Sequence, residues 1–186
     1  PIWHWYVLVW MLTPWNFAES EEPQYELILR GGKIIDGTGN PWFAGDIGIK
    51  NQRIVAVGRI GSGRGQQELD VRGLVVAPGF IDMHSHSDTL LLQDGNAQSK
   101  IRQGVTTEVL GEGRSMAPRV GKLSPRAIEI QGKVHQIESL EDYFQTVETA
   151  GIATNVAFYV GLGTVWRCVM GDTFERPTRD QVETMK

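Results

Sequence analysis

Between residues 25 and 72 apolar side chains recur at every second position in short runs, the period of half-buried strands. Residues 25–30 form one such run. It meets Gly31-Gly32, read as a turn into residues 33–36, and Gly37-Thr38-Gly39-Asn40-Pro41 closes the segment. Residues 46–50 alternate again, and Asn51-Gln52 makes a tight turn into residues 53–57. After a glycine-rich loop at 61–65, residues 68–72 supply a further strand. That loop is no phosphate cradle, because neither Lys-Ser/Thr nor a helix start follows it. The pattern predicts a small antiparallel β unit, sandwich-like, over residues 23–76.

After Pro78 the period changes. Residues 80–83 read as a strand that runs into two histidines, residues 96–103 as a helix stopped by Gly104, and residues 105–110 as a buried strand. Residues 111–133 read as a long irregular stretch. Leu140, Tyr143, Phe144 and Val147 then fall on one face of a helix, with Ser139 and Asp142 as a capping box and Gly151 as the stop. Residues 155–160 form a third apolar strand, and Thr178 with Gln181 opens another helix after Pro177. Strands alternating with helices predict βα units on a parallel sheet over residues 77–186. No internal repeat or low-complexity tract interrupts the chain.

Residues 1–22 stand apart. Trp3, Trp5 and residues 6–12 make an apolar run of signal-peptide length, too short to span a bilayer, with Ala18 as a small residue for a cleavage site. The run has no basic flank, and the chain opens on Pro1. A clipped export signal, a true start at Met11 and a plain N-terminal extension all fit. The protein is therefore expected to be cytoplasmic, or periplasmic or secreted if residues 1–18 are a clipped signal.

Composition narrows the function. The 186 residues are 41% hydrophobic and 22% charged, with 22 glycines, which is globular and turn-rich. A net charge of -4 gives no basic footprint for nucleic acid, and one cysteine, Cys168, excludes a disulfide framework or a thiolate cluster. The chemistry lies in His84 and His86. On a strand their spacing puts both imidazoles on one face, and neutral imidazole suits zinc and similar ions. By itself His-x-His reads equally as half a metal site or as two histidines at a strand end.

The surrounding residues carry a resemblance. The stretch Leu74-Val75-Val76-Ala77-Pro78-Gly79-Phe80-Ile81-Asp82-Met83-His84-Ser85-His86 resembles the first barrel strand of the amidohydrolase superfamily. Leu29-Arg30-Gly31-Gly32-Lys33-Ile34-Ile35-Asp36-Gly37-Thr38-Gly39 resembles the opening of its N-terminal β-domain. More narrowly, His84-Ser85-His86-Ser87-Asp88, Ile101-Arg102-Gln103-Gly104-Val105-Thr106-Thr107 and Asn155-Val156-Ala157 followed by Val169-Met170-Gly171 are similar to the N-acyl-D-amino-acid deacylase branch.

The resemblance implies an α/β fold, a metal-dependent (β/α)8 hydrolase barrel with a β-sandwich domain, of which this chain holds a part. It implies one or two zinc ions and hydrolysis of a small N-acyl-D-amino acid to a D-amino acid and a carboxylate. His84 and His86 carry over as ligands. The family's next ligand, often a Cys in Gly-Asn-Cys-Gly, is replaced here by Gly111-Glu112-Gly113, one residue shorter. Glu112 is the expected substitute, with Glu108 the alternative on the same strand parity. Asp82 is expected beneath the histidines, orienting an imidazole or accepting a buried hydrogen bond. Leu162, in Gly161-Leu162-Gly163-Thr164, stands where relatives often have His, which leaves acyl or side-chain preference open. His135 reads as a surface residue.

A full barrel takes about 250 residues, so the general base and further ligands are expected beyond Lys186. Another amidohydrolase, such as a dipeptidase or a cyclic-amide hydrolase, or an inactive piece with half a site, are the alternatives. Stable membrane insertion is not expected, and oligomeric state is not legible.

Overall fold

The computed structural model describes residues 24–130 and 132–186, so the apolar N-terminal run and His4 lie outside the described residues. The chain divides after Pro78 into two compact units.

The first unit holds β1 (Tyr25–Ile34), β2 (Phe43–Lys50), β3 (Arg53–Gly58), β4 (Gly65–Asp70) and β5 (Val75–Val76). They form one sheet in the order β3-β2-β1-β4, with β5 also paired to β1. β1–β2 and β2–β3 are antiparallel, but β4 and β5 run parallel to β1. The sheet is therefore mixed rather than wholly antiparallel. Alternation reports which face is buried and is the same for either strand direction.

Gly31-Gly32 is also not a turn. β1 runs straight through it, and its register against β2 slips between Leu29 and Gly32. Leu29 faces Ile47 and Gly32 faces Gly45, so Arg30 and Gly31 together oppose Asp46, as in a β-bulge. Gly31 takes φ +70°, where a Cβ would be strained. The Asp46 carboxylate fills the bulge. It accepts from the Gly31 amide at 2.9 Å, the Ile60 amide at 3.0 Å and Arg30 Nη1 at 3.1 Å. Arg30 also grips Glu68 on β4 through Nε at 2.9 Å and Nη2 at 2.6 Å, a two-pronged pairing that clips the parallel strand to β1.

In the second unit β6 (Phe80–Asp82), β7 (Val105–Leu110) and β10 (Asn155–Phe158) form a parallel sheet in the order β10-β7-β6. The connections carry α1 (Asp88–Gln93), α2 (Gln98–Ile101) and α3 (Leu140–Ala150), and α4 (Leu162–Met170) and α5 (Arg179–Thr184) follow β10. The stretch read as irregular ends in a strand, β8 (Arg126–Ile130), which pairs antiparallel with β9 (Lys133–Ile137). The alternating Ile128 and Ile130, both buried, are the signal for it.

The helix α3 is built as its periodicity predicts. Ser139 Oγ accepts from the Asp142 amide while the Asp142 carboxylate accepts from the Ser139 amide, and Gly151 closes the helix. Tyr143 and Val147 are buried with Ile128, Ile130 and Ile137 of the hairpin and Leu92 of α1, while Leu140, Phe144 and Phe158 pack against them. Tyr143 meets Phe158 edge-to-face with centroids 4.8 Å apart, and its hydroxyl donates to the Asp88 carbonyl at 2.9 Å. This core packs Phe158 of β10 and Leu92 of α1 against α3. Among the described residues no helix is long and apolar enough to cross a membrane.

Burial pushes the Asp46 carboxyl up, but the Ile60 and Gly31 amides and the Arg30 guanidinium bring it below its ordinary value. A carboxyl lowered in the folded state stabilises the fold above its unfolded pKa, and that stability is lost as pH falls through the folded value. Asp46→Ala is expected to lower the unfolding free energy by about 2–3 kcal/mol at neutral pH, as two amides lose their acceptor. It is also expected to flatten the wild-type decline in stability below about pH 4. Urea titrations at both pH values check this, and equal midpoints at neutral pH would remove Asp46 from the role.

Candidate metal centre

β6 ends at Asp82, so His84 and His86 do not share a strand face. They lie in the bend that follows, and the bend brings them together. Asp82 Oδ1 accepts from the His84 amide at 3.1 Å, and the Ser85 amide donates to the Val109 carbonyl of β7 at 3.1 Å. The result is an imidazole pair with Nε2 atoms 3.0 Å apart and rings crossed at 70°. Both rings are exposed. Glu112, just past the end of β7, places Oε2 at 2.9 Å from His84 Nδ1. Three of the residues expected at the site therefore gather at the C-terminal ends of neighbouring parallel strands, where α/β enzymes place their chemistry.

They gather in a line rather than around a point. Glu112 touches the ring nitrogen of His84 that faces away from His86. Among the described residues no group of three or more His, Cys, Asp or Glu converges so as to hold a metal ion. The imidazole pair does fit half of one. With metal–nitrogen distances of about 2.0–2.1 Å, two ligands of a tetrahedral ion stand roughly 3.3 Å apart, and the 3.0 Å separation needs only a small opening.

Asp82 lies where the sequence puts it, yet it holds the backbone of His84 rather than a ring, and Lys100 Nζ pairs with its other oxygen at 2.6 Å. The Lys100 contact, together with the His84 amide, lowers the Asp82 carboxyl, against a small upward pull from burial. Glu108 lies deeper and is fully buried. It accepts from Ser85 Oγ at 2.6 Å, Ser87 Oγ at 2.5 Å and Thr154 Oγ1 at 3.0 Å, with Lys100 Nζ at 3.5 Å. Burial pushes this carboxyl up, but the three hydroxyls and the ammonium hold it below its ordinary value. Lys100, Ser85, Ser87 and Thr154 escape a sequence reading. Only the Ser-x-Ser spacing around His86 hints at them. His135 sits half-buried on β9 opposite Ile128.

Residues 67–144 match the sequence pattern of the Amidohydrolase family. D-aminoacylase of Alcaligenes xylosoxydans xylosoxydans is 36% identical over 172 residues, covering 91% of this chain and 36% of that enzyme. The chain belongs to the amidohydrolase family. A crystal structure of D-aminoacylase superposes with a TM-score of 0.74 at 37% identity, over 86% of this chain and 34% of the other. The N-acyl-D-glutamate deacylase of Bordetella bronchiseptica, solved with zinc and a phosphonate mimic of the tetrahedral intermediate, superposes with a TM-score of 0.73 at 32% identity, over 87% and 35%. The chain thus spans about a third of the length of the relatives it matches.

In this amidohydrolase the loop that carries Glu112 is tied to the end of β10. The Ser115 amide donates to Thr164 Oγ1 at 2.8 Å, and the Gly161 amide donates to Ser115 Oγ at 3.1 Å. The backbones touch closely, for a Cβ on Gly111 would stand 2.1 Å from the Tyr159 carbonyl, and Gly111 takes φ +86°. Leu162, at the start of α4, is 73% exposed beside this loop. Thr164 and Ser115 are both buried, so Thr164→Val keeps the volume and leaves the Ser115 amide without its acceptor. We expect it to cost about 1–3 kcal/mol of stability, read as a lower urea midpoint. An unchanged midpoint would mean that the loop is held by other contacts.

Proposed function

We propose that this amidohydrolase chain is the metal-binding front of an enzyme that hydrolyses the linear amide of N-acyl-D-amino acids. The observation that carries the reading is the His84–His86 pair, Nε2 to Nε2 at 3.0 Å, at the C-terminal end of a parallel sheet. Relatives it resembles include a D-aminoacylase and deacylases of N-acyl-D-aspartate and N-acyl-D-glutamate. In this reading β6, β7 and β10 are the first staves of a (β/α)8 barrel, and the five-stranded sheet contributes to a β-sandwich domain. Ile81 beside β7 and Tyr159 and Val160 after β10 are more than half exposed. These apolar positions suit further staves.

His84 and His86 would hold zinc, one ion or two. Bound zinc lowers the pKa of a water ligand toward neutrality and supplies the nucleophile for the amide carbonyl. The chain's own part is to fix the two imidazoles and to shape the mouth. Glu112 can serve as a third ligand or, where it stands, as the acceptor that orients His84 through Nδ1–H. The exposed Leu162 gives the mouth an apolar contact for the acyl group or side chain.

His84→Ala and His86→Ala in the complete protein are each expected to abolish hydrolysis and lower bound zinc; wild-type zinc content in both would sink the ligand assignment. A panel of N-acetyl-D- and N-acetyl-L-amino acids is expected to show turnover of D-substrates. Activity confined to L-substrates, dipeptides or cyclic amides would place the enzyme elsewhere among the amidohydrolases. Glu112→Gln separates the two roles of that residue. Its amide oxygen can still accept from His84, so a large drop in zinc affinity identifies a ligand, whereas near wild-type affinity identifies an orienting acceptor.

A further inference from the structure

Glu108 is a carboxylate with no access to solvent, yet it does not belong to the histidine pair, and its surroundings are built for something other than ligation. Oxygen Oε2 takes both Ser85 Oγ and Ser87 Oγ, and Oε1 takes Thr154 Oγ1. The two serines stand immediately on either side of His86. Ser85 is 2% exposed and also receives Lys100 Nζ at 3.2 Å. Ser87 occupies the N-cap position of α1 but makes no side-chain cap, because its hydroxyl is turned to Glu108. A serine at an N-cap ordinarily accepts from an amide of the first helical turn, so the helix forgoes a bond that the carboxylate takes instead. Lys100 completes the arrangement by pairing with Asp82, which holds the His84 amide.

Ser85 and Ser87 on either side of His86, and Asp82 two residues before His84, are thus tied to the buried Glu108 and its partner Lys100, and no contact to the imidazoles themselves is involved. We propose that Glu108, with Lys100, is the positioning residue of the metal pair. It grips residues 85 and 87 through their hydroxyls, and Lys100 grips residue 82, so together they set the separation of the two Nε2 atoms. This rests on the reading of His84 and His86 as metal ligands. Thr154 has a different part. It anchors the far oxygen of Glu108 from the start of β10, so it bears on stability more than on the histidine bend.

The test uses the complete protein and two readouts besides activity: zinc affinity by competition with a chromophoric chelator, and the absorption bands of the cobalt-substituted protein. The S85A/S87A double variant is expected to bind zinc roughly 10- to 100-fold more weakly and to shift the cobalt bands. Its thermal midpoint is expected to fall, as that of Thr154→Ala does. Thr154→Ala, which removes a bond to the same carboxylate, should keep zinc affinity within about threefold. Glu108→Gln should behave as the serine double variant does; if it fails to fold, the double variant carries the test alone. Wild-type zinc affinity and cobalt bands in S85A/S87A would overturn the proposal. So would affinity losses that track stability equally in all the variants, since that is a structural role only. A wild-type protein that binds no zinc would overturn the ligand reading itself, and with it this proposal.

Discussion

The second unit is organised around the need to satisfy one buried negative charge. Glu108 has no contact with water, and an ionised carboxylate in that position is costly unless its lone pairs are filled. They are filled by groups from separate segments: the bend after β6, α2, and the start of β10. A single side chain on the middle strand of the sheet therefore draws together three segments that are distant in sequence. The bend that carries His84 and His86 is one of them. The same requirement explains why Ser87 leaves α1 uncapped and why Lys100 turns inward between two carboxylates.

Above this layer the site is open and assembled from strand ends. The aromatic cluster of Tyr143, Phe144 and Phe158 holds β10 against α3, and the Ser115–Thr164 pairing ties the Glu112 loop to the first turn of α4. The histidine pair fits half of a tetrahedral coordination shell in its spacing, and the proposed zinc-binding role rests on that fit. The first unit repeats the theme on a smaller scale. There the charge of Asp46 fills a bulge in β1, and Arg30 links it to β4.

Much of this was legible in advance where the determining interaction is local. The α3 face, its capping box and its glycine stop follow from residues within four positions of one another. The βα alternation after Pro78 and the His-x-His at a strand's end likewise follow from short runs. The misreadings have a common origin. Gly31-Gly32 looks like a turn, but it is a bulge because Asp46, fifteen residues on, supplies the acceptor. Residues 68–72 alternate as any strand does, yet the strand that forms over 65–70 pairs in parallel with β1, with Arg30 gripping Glu68 across the pair. The β8–β9 hairpin was hidden because its apolar positions are few and become meaningful only against α3.

The sequence by itself determined the three strands of the parallel sheet, α3, the two histidines and the family, because periodicity, capping and a contiguous motif are written in neighbouring residues. Only the tertiary structure decided how the histidines meet. They face each other through a bend rather than along a strand, Glu112 lies on the outer nitrogen of His84, and Glu108 lies beneath them as an acceptor for hydroxyls. Strand parity cannot distinguish these roles. A carboxylate's role is set by which donors reach it, and those donors come from residues 85, 87, 100 and 154, brought together only when the sheet closes.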